Sequence, residues 1–299
     1  PPAEPPPADV TAPAAPAARA TTGIDVLDAG RGLPAHRLTG AVRIDGRLDE
    51  HDWAQAGVAG QFTQDAPHHG EPATSPTEVR VLYDDQYLYV GARMHHAPGR
   101  GEVTALVHRR DRDSASDWFG VALDSTHDRR TALEFRVNAA GVQRDVLMYA
   151  DTNSDDSWDA LWDSGVTVDA DGWTAELRIP ISLLRVRAGD GDQRWGINFV
   201  RVDQAPQETD RWHVIGRSEN AFVSKFPVLT GLTGLRPQSR REIIPYLTTR
   251  GKLATAQDFD DRGLSTRAGV DAHLGIGSSS ALDLTFLPDF GQTEVENLL

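Results

Sequence analysis

Acidic and aromatic side chains are concentrated in one stretch of the sequence, DTNSDDSWDALWDS at residues 151–164. Asp151, Asn153 and Asp155 stand at every second position, a spacing at which a loop can direct several oxygen ligands toward one Ca²⁺ ion. An EF-hand also requires Gly at the sixth position and Glu at the twelfth, where this chain has Asp156 and Trp162. The stretch is therefore no EF-hand. It predicts either a looser calcium site or a solvated acidic loop.

Two tryptophans in the same stretch offer a second kind of chemistry. The indole ring of Trp158 or Trp162 could stack on the C–H face of a sugar. Because the two residues are four positions apart, they could equally share one face of a helical turn that packs on a core. The sequence leaves both alternatives open.

A second acidic stretch, RIDGRLDEHDWAQA at residues 43–56, has a structural and a metal-binding interpretation. Asp45 and Gly46 predict a turn, Asp49 is placed to cap a short helix, and Trp53 would face the core. The alternative is that Asp45 or Asp49 binds Ca²⁺.

The sequence contains none of four common catalytic motifs. The chain has no G-x-S-x-G elbow, no H-E-x-x-H motif, no P-loop and no dinucleotide fingerprint. A glycosidase needs two carboxylates about 5–9 Å apart, and 44 acidic residues neither show nor exclude such a pair. We therefore predict no catalytic residue.

Two pairs of adjacent histidines, His68–His69 and His95–His96, lie near predicted turns. Neighbouring side chains in a strand point to opposite faces, so one pair cannot easily hold one metal ion. We expect both pairs to lie in solvated loops.

The overall composition narrows the classes of partner. The 299-residue chain carries a net charge of −14, which argues against nucleic acid because phosphates require a basic face. It contains no cysteine, so disulfides, thiolate zinc sites and cysteine nucleophiles are excluded. Its 25% of charged residues suit a solvated surface and leave carboxylates available for Ca²⁺.

The candidate residues are positioned by short strands with a period of two. A hairpin is predicted around Asp84-Asp85, between segments 77–84 and 86–93. Further strands are predicted at 117–124, 131–138, 142–150, 172–179, 194–203 and 211–216. Many short strands joined by turns predict an all-β protein, an antiparallel β-sandwich of immunoglobulin or jelly-roll type.

The two ends of the chain differ from this middle part. Residues 1–37 include a Pro/Ala-rich stretch that predicts a disordered tether, beginning either at a mature N-terminus left by signal removal or at an arbitrary boundary.

Segments 241–251, 267–277 and 281–290 alternate cleanly, as the strands of a transmembrane barrel do. Three strands cannot close a barrel, so residues 236–299 predict the truncated start of one.

The order of several sequence blocks resembles a known family. IDGRLDEHDW, VRVLYDDQYLYVGAR, FGVALD, EFRVNAAGVQRD and GWTAELRIPISLLR are similar to the family 9 carbohydrate-binding module over residues 38–235. DSWDALWDS and LPDFGQTEVEN resemble bacterial outer-membrane proteins that join such a module to a C-terminal barrel. The resemblance implies a sandwich in the cell envelope, periplasmic or surface-exposed, with a glycan as partner and structural calcium as the possible cofactor.

The resemblance does not carry over the sugar clamp of the family. Sugar-binding members hold a sugar between two tryptophans, but RDRDSAS and HVIGRS occupy those places here. Trp118 and Trp212 are near them but offset, so Trp118, Trp158 and Trp162 are the candidate ligand-binding residues. Three functions stay open: glycan recognition or pore plugging, a structural or assembly sandwich without a ligand, and an accessory part of a glycoside-cleaving enzyme.

Overall fold

The structure is a computed structural model that describes residues 32–96, 102–186, 191–236, 241–251, 264–276 and 280–287. The described residues are almost entirely strands and turns, as the sequence predicts. They contain no helix with the length and apolar character needed to cross a membrane.

The elements follow one another in this order. The strands of the first half are β1 (Gly32–Pro34), β2 (His36–Arg37), β3 (Thr63–Ala66), β4 (Thr77–Tyr83), β5 (Tyr87–His95), β6 (Trp118–Asp124), β7 (Ala132–Asn138) and β8 (Gln143–Tyr149). The strands of the second half are β9 (Asn153–Asp155), β10 (Asp163–Asp169), β11 (Gly172–Pro180), β12 (Gln193–Asp203), β13 (Glu208–Arg211), β14 (Val228–Leu232), β15 (Arg241–Gly251), β16 (Leu264–Ile276) and β17 (Ser280–Phe286). One α-helix, α1 (His51–Gln55), and two short 3-10 helices, Ile181–Leu183 and Val223–Lys225, complete the set.

Two sheets pack face to face and form the predicted sandwich. The first has nine strands, seven of them in the order β1-β14-β12-β6-β7-β8-β9, with β13 paired to β12 and β3 paired to β13. The second has five strands in the order β10-β11-β5-β4-β2. Phe119 and Phe135 of the first sheet belong to one buried cluster with Val90 and Trp173 of the second. Apolar burial between the sheets is the main stabilising contribution in such a fold.

Helix α1 covers the outer face of the second sheet. Trp53 is 1% exposed and packs with Leu82 and Tyr89, which confirms that it faces a core. A Cβ atom on Gly91 would lie 2.8 Å from the Trp53 ring, so this glycine makes room for the indole.

The predicted helix cap is wrong. The N-cap residue is Glu50, without a side-chain hydrogen bond, and Asp49 is exposed. Asp52 instead accepts hydrogen bonds from the Thr39 hydroxyl, at 2.8 Å, and from the Gly40 N–H, at 3.0 Å. The Thr39 bond lowers the pKa of Asp52 most strongly, against the effect of burial. Asp52 therefore ties the preceding segment to the helix rather than capping it.

The turn after Ile44 binds a buried carboxylate. The N–H groups of Asp45, Gly46 and Arg47 donate to one oxygen of Glu176 at 2.9, 2.8 and 3.3 Å. Gly46 has a φ of +81°, a conformation that glycine adopts without strain. The Asp-Gly turn of the acidic stretch 43–56 thus holds a carboxylate of strand β11.

Most predicted strands of the sandwich are confirmed within one or two residues, but segment 211–216 is not a strand. The paired strand there is Glu208–Arg211, and it ends before Trp212. The Asn198 side chain donates to the His213 carbonyl at 2.9 Å and accepts from the His213 N–H at 3.0 Å. The backbone N–H and C=O of His213 thus bond to a side chain of β12.

Residues 32–37, which were predicted to belong to the tether, form part of the sandwich. Strand β1 pairs in parallel with β14, and β2 pairs in parallel with β4. Residues 1–31, the rest of the predicted tether, lie outside the described residues.

The tail strands pair consecutively and antiparallel, as predicted. Strand β15 pairs with β16, and β16 pairs with β17. The register places Val270 opposite Phe286, and Leu274 opposite Leu282, so these apolar residues share one face. Phe286 is 70% exposed. The three strands form a separate, open sheet.

Candidate functional site

A groove of about 350 Å³ lies at one end of the sandwich. Strands β6 and β8 end there and β7 begins there, while the 3-10 helix Ile181–Leu183 approaches from the second sheet. The lining consists of Leu123, Ser125, Thr126, Thr131, Ala132, Leu133, Leu147, Tyr149, Trp158, Ser182, Leu183 and Arg185. An apolar floor thus meets a rim of hydroxyl groups and one guanidinium, in a volume suited to a small ligand.

Two aromatic side chains stand in the wall of this groove. Trp158 is half-buried, and its ring meets Phe135 edge-on with the ring centroids 5.9 Å apart. Tyr149, at the end of β8, is 44% exposed. The core contact orients the Trp158 indole and leaves part of its surface available to a ligand.

The loop that carries Trp158 is held by Asp145. This buried carboxylate accepts hydrogen bonds from the Ala160 N–H at 2.7 Å and the Trp162 indole N–H at 3.0 Å. Arg110 donates to the same carboxylate at 2.7 Å. Burial raises the pKa of Asp145, although these donors act in the opposite direction. Asp145 therefore sets the position of residues 158–162 relative to strand β8.

The opposite rim is organised by Asp124 and Asp128. Buried Asp124 accepts from the backbone N–H groups of Asp128 and Arg129 at 3.2 and 2.8 Å. Asp128 in turn accepts from the Thr131 hydroxyl at 2.6 Å. Burial acts to raise the pKa of Asp128, but hydrogen bonds from Thr131 and Arg130 outweigh it and the pKa is lowered. Since the Thr131 hydroxyl donates its hydrogen to Asp128, the hydroxyl oxygen can still accept a hydrogen bond from a ligand in the groove.

The three candidate tryptophans have different surroundings. Trp158 lines the groove. Trp162 is buried, packs edge-on against Phe135, and borders a second, more polar pocket beside Arg43 and Arg178. Trp118 is 6% exposed, and its indole N–H donates to the Ser114 carbonyl at 3.2 Å. Residues 158–162 form no helical turn, so the predicted shared helical face is wrong, although Trp162 does pack on the core. Stacking of Trp158 on a sugar stays a prediction.

The candidate calcium ligands lie in local hydrogen bonds. Asp151 accepts from the Phe222 and Ser224 N–H groups at 3.0 and 2.9 Å, and Asp155 accepts from the Ser157 N–H at 2.9 Å. Asp45 accepts from the Arg47 N–H at 3.1 Å. Asn153 and Asp49 are exposed. Calcium binding by these residues stays a prediction.

One histidine lies in surroundings that differ from the expected solvated loop. Both ring nitrogens of His96 are buried, and the imidazole lies beside Asp117 and Asp203 at the end of the sandwich opposite the groove. No sequence pattern indicates this cluster, because the three residues come from strand ends far apart in the chain.

The groove residues Tyr149, Thr131 and Arg185 were also missed. Tyr149 ends an alternating strand, where an exposed aromatic residue is a usable sign of a binding surface. Thr131 and Arg185 stand in turns that have no distinctive pattern, so their meeting depends on the packing of the two sheets.

A two-sheet antiparallel sandwich with an aromatic groove at one end has the architecture of a ligand-binding β-sandwich domain. The chain belongs to the carbohydrate family 9 binding domain-like family, whose model matches residues 44–224. A search of curated proteins gives no match.

Comparison with solved structures also gives similar chains. A protein from Bacteroides uniformis, to which carbohydrate binding has been ascribed, is 14% identical with a TM-score of 0.52, over 67% of this chain and 99% of its own. A family 9 carbohydrate-binding module from Caldicellulosiruptor kristjanssonii, in complex with cellotriose, is 17% identical with a TM-score of 0.48, over 70% of this chain and 95% of its own. The same module in complex with glucose is 17% identical, with a TM-score of 0.49 over 70% and 97% of the two chains.

Proposed function

We propose that the sandwich is a non-catalytic carbohydrate-binding domain and that its groove binds a short glycan segment. The observation that carries the proposal is the half-buried Trp158, which stands in the wall of a groove rimmed by hydroxyl groups. A sugar ring presents C–H groups on its faces and hydroxyl groups around its edge. An aromatic wall beside a polar rim complements both.

The lining chemistry favours binding over hydrolysis. Its described side chains are apolar, hydroxyl-bearing or aromatic, apart from the guanidinium of Arg185. Hydrolysis of a glycosidic bond requires two carboxylates that face each other across it. Asp124 and Asp128, which adjoin the lining residues, accept hydrogen bonds from the rim itself and serve to shape it.

The binding test uses one variant of the groove and one matched control. The full chain is screened on a glycan array, and soluble hits are titrated by calorimetry, with cellotriose and glucose included as probes. Trp158→Ala should weaken binding by about 1–3 kcal/mol, roughly 5- to 150-fold. Leu161→Ala removes an exposed side chain of the same loop that does not line the groove, and should leave the affinity unchanged.

Unequal effects of these two variants support the groove as the binding site. Equal affinities of Trp158→Ala and the wild type for a bound glycan would place binding elsewhere. The absence of any glycan binding would favour the structural or assembly role. Thermal unfolding of each variant separates loss of binding from loss of folding.

We further propose that the tail sheet begins an outer-membrane β-barrel, with the sandwich in the periplasm or at the bacterial surface. The support is the regular pattern of strands β16 and β17, which puts Val270, Leu274, Leu282 and Phe286 on one face. Lipid requires such a face and also requires that every backbone group be paired, which a closed barrel achieves. In this arrangement the sandwich would recognise glycans at the membrane or plug the pore.

A further inference from the structure

A cluster of three side chains lies at the end of the sandwich opposite the groove. His96 follows strand β5 of the second sheet, Asp117 precedes β6, and Asp203 ends β12 of the first sheet. The pairing of Val202 with Trp118 places Asp203 and Asp117 at adjoining ends of neighbouring strands. One atom from each of the three side chains lies within 4.8 Å of the other two. The cluster therefore connects the two sheets.

Several polar atoms of this cluster have no hydrogen-bond partner. Asp117 is 1% exposed; one of its oxygens accepts from the Gln204 N–H at 2.9 Å, and the other, Oδ2, has no partner. Asp203 is 2% exposed and its Oδ1 also lacks a partner. Neither ring nitrogen of His96 is paired. Buried polar atoms without partners are costly, so their convergence at one place calls for a ligand.

Among the described residues, the guanidinium of Arg201 lies near the cluster but does not neutralise the two carboxylates. Buried Arg201 donates to Asp203 at 3.3 Å, but its shorter contacts are with the Thr77 hydroxyl at 3.1 Å and the His95 carbonyl at 2.8 Å. Two buried carboxylates thus share one arginine whose hydrogen bonds are directed mainly elsewhere.

Two further acidic residues near the cluster, Asp210 and Glu208, do not offset its negative charge. Asp210 has its pKa raised to about 8 by burial and by Glu208, so it keeps a proton at neutral pH. Glu208 accepts from the Thr74 N–H and hydroxyl at 2.8 and 2.7 Å. With its carboxylates ionised, the part of the cluster's surroundings that the structure describes is therefore net negative.

We propose that His96, Asp117 and Asp203 form a binding site for a divalent transition-metal ion of the Zn²⁺ type. One imidazole and two carboxylates are a donor set that suits such ions, whereas Ca²⁺ takes six to eight oxygen ligands. Three ligand atoms at about 2.0–2.2 Å from one tetrahedral Zn²⁺ ion lie about 3.3–3.6 Å from one another. Side-chain rotations that move each ligand atom by up to about an ångström would bring these three to that spacing. The ion would join the two sheets.

Metal titration of the complete chain tests the site. The untagged 299-residue protein is treated with EDTA, dialysed, and titrated with ZnCl₂, MnCl₂ or CaCl₂ in a calorimeter. Zn²⁺ should bind with one high-affinity equivalent. At a free concentration of 100 times Kd it should raise Tm by about 5–10 °C. Co²⁺ should give visible absorption bands that report tetrahedral coordination.

Conservative substitutions separate ligation from a structural role. His96→Gln and Asp203→Asn should each weaken Zn²⁺ binding by more than about tenfold and abolish the Tm shift. Asp117→Asn should do the same and also raise the Tm of the metal-free protein, because it removes a buried charge. The matched controls are His95→Gln, which changes the adjacent histidine, and Asp210→Asn, which changes a nearby buried acid; both should bind Zn²⁺ normally.

Three results would overturn the proposal. The first is a Tm that does not respond to Zn²⁺, Mn²⁺ or Ca²⁺. The second is a response to Ca²⁺ alone, which would indicate an oxygen site instead. The third is a Zn²⁺ response that survives in His96→Gln and Asp203→Asn, which would place the ion elsewhere. None of these results depends on glycan binding at the groove.

Discussion

Glu176 offers a quantitative test of the turn at residues 45–47. Its side chain is fully buried, and burial raises its pKa from 4.5 to about 7 despite the donors of Asp45, Gly46 and Arg47; the nearby Glu50 adds to the rise. We predict that Glu176→Gln stabilises the protein at alkaline pH and not at acidic pH. The amide oxygen can accept the same three hydrogen bonds without carrying a charge.

The sign of the effect follows from proton binding. Because the folded pKa lies above the unfolded one, the folded state holds more protons between pH 4.5 and about 7. The contribution of Glu176 to stability is therefore present below pH 4.5 and is lost as the pH rises to about 7. The difference between the two pKa values corresponds to about 3 kcal/mol.

Urea unfolding at several pH values measures this difference. Glu176→Gln and the wild type should have similar free energies of unfolding at pH 4, and the variant should exceed the wild type by up to about 3 kcal/mol at pH 8. Other titrating groups cancel in the comparison. Glu78→Gln, which changes a more exposed carboxylate of strand β4, is the matched control for the removal of one acidic side chain. A gap between Glu176→Gln and the wild type that is constant with pH, or that widens toward acid, would refute the reasoning.

Two further predictions concern the outer parts of the fold. Trp53→Ala should reduce the free energy of unfolding by about 3–5 kcal/mol, since it empties a fully buried site above Gly91. Urea denaturation measures the loss, and a loss below about 1 kcal/mol would contradict the packing described. A chain ending at residue 236 should be monomeric without detergent. The 299-residue chain should associate through the apolar face of the tail sheet, where Leu247 and Phe286 are each 70% exposed. Light scattering after size-exclusion chromatography measures both chains, and equally monomeric behaviour would count against the barrel proposal.

The sequence predicts the sandwich well where one strand alternates along its own length. The hairpin of Thr77–Tyr83 with Tyr87–His95 and the long strand Gln193–Asp203 were predicted nearly to the residue. Segment 211–216 alternates as well, yet Asn198 takes the backbone bonds of His213. Alternation reports which side chains can be buried, whereas strand formation also needs a neighbouring strand with free backbone groups.

The functional sites were much harder to predict than the fold. Trp158 was predicted as a candidate because a tryptophan in an acidic loop can stack on the C–H face of a sugar. The cluster of His96, Asp117 and Asp203 has no local pattern, since each residue ends or begins a different strand. Only the packing of both sheets brings these three together, and a single sequence holds no signal for that meeting. The predicted cap at Asp49 is also wrong, because the helix begins with Glu50 at its N-cap. The nearby Asp52 bonds to Thr39, a contact outside the helix that no local pattern predicts.

The parallel pairing of β1 with β14 determines how the sandwich would respond to tension. Gly32 lies opposite Val228 and Pro34 opposite Thr230, so the two strands run in the same direction. Residue 32 therefore lies at one end of this pair, and the chain leaves Leu232 toward the tail from the other end. A force pulling these two points apart would load the bridging hydrogen bonds in shear, all at once, rather than opening them one by one. If the tail is held in a membrane while the other end of the chain is pulled, this short pair is the mechanical clamp of the domain.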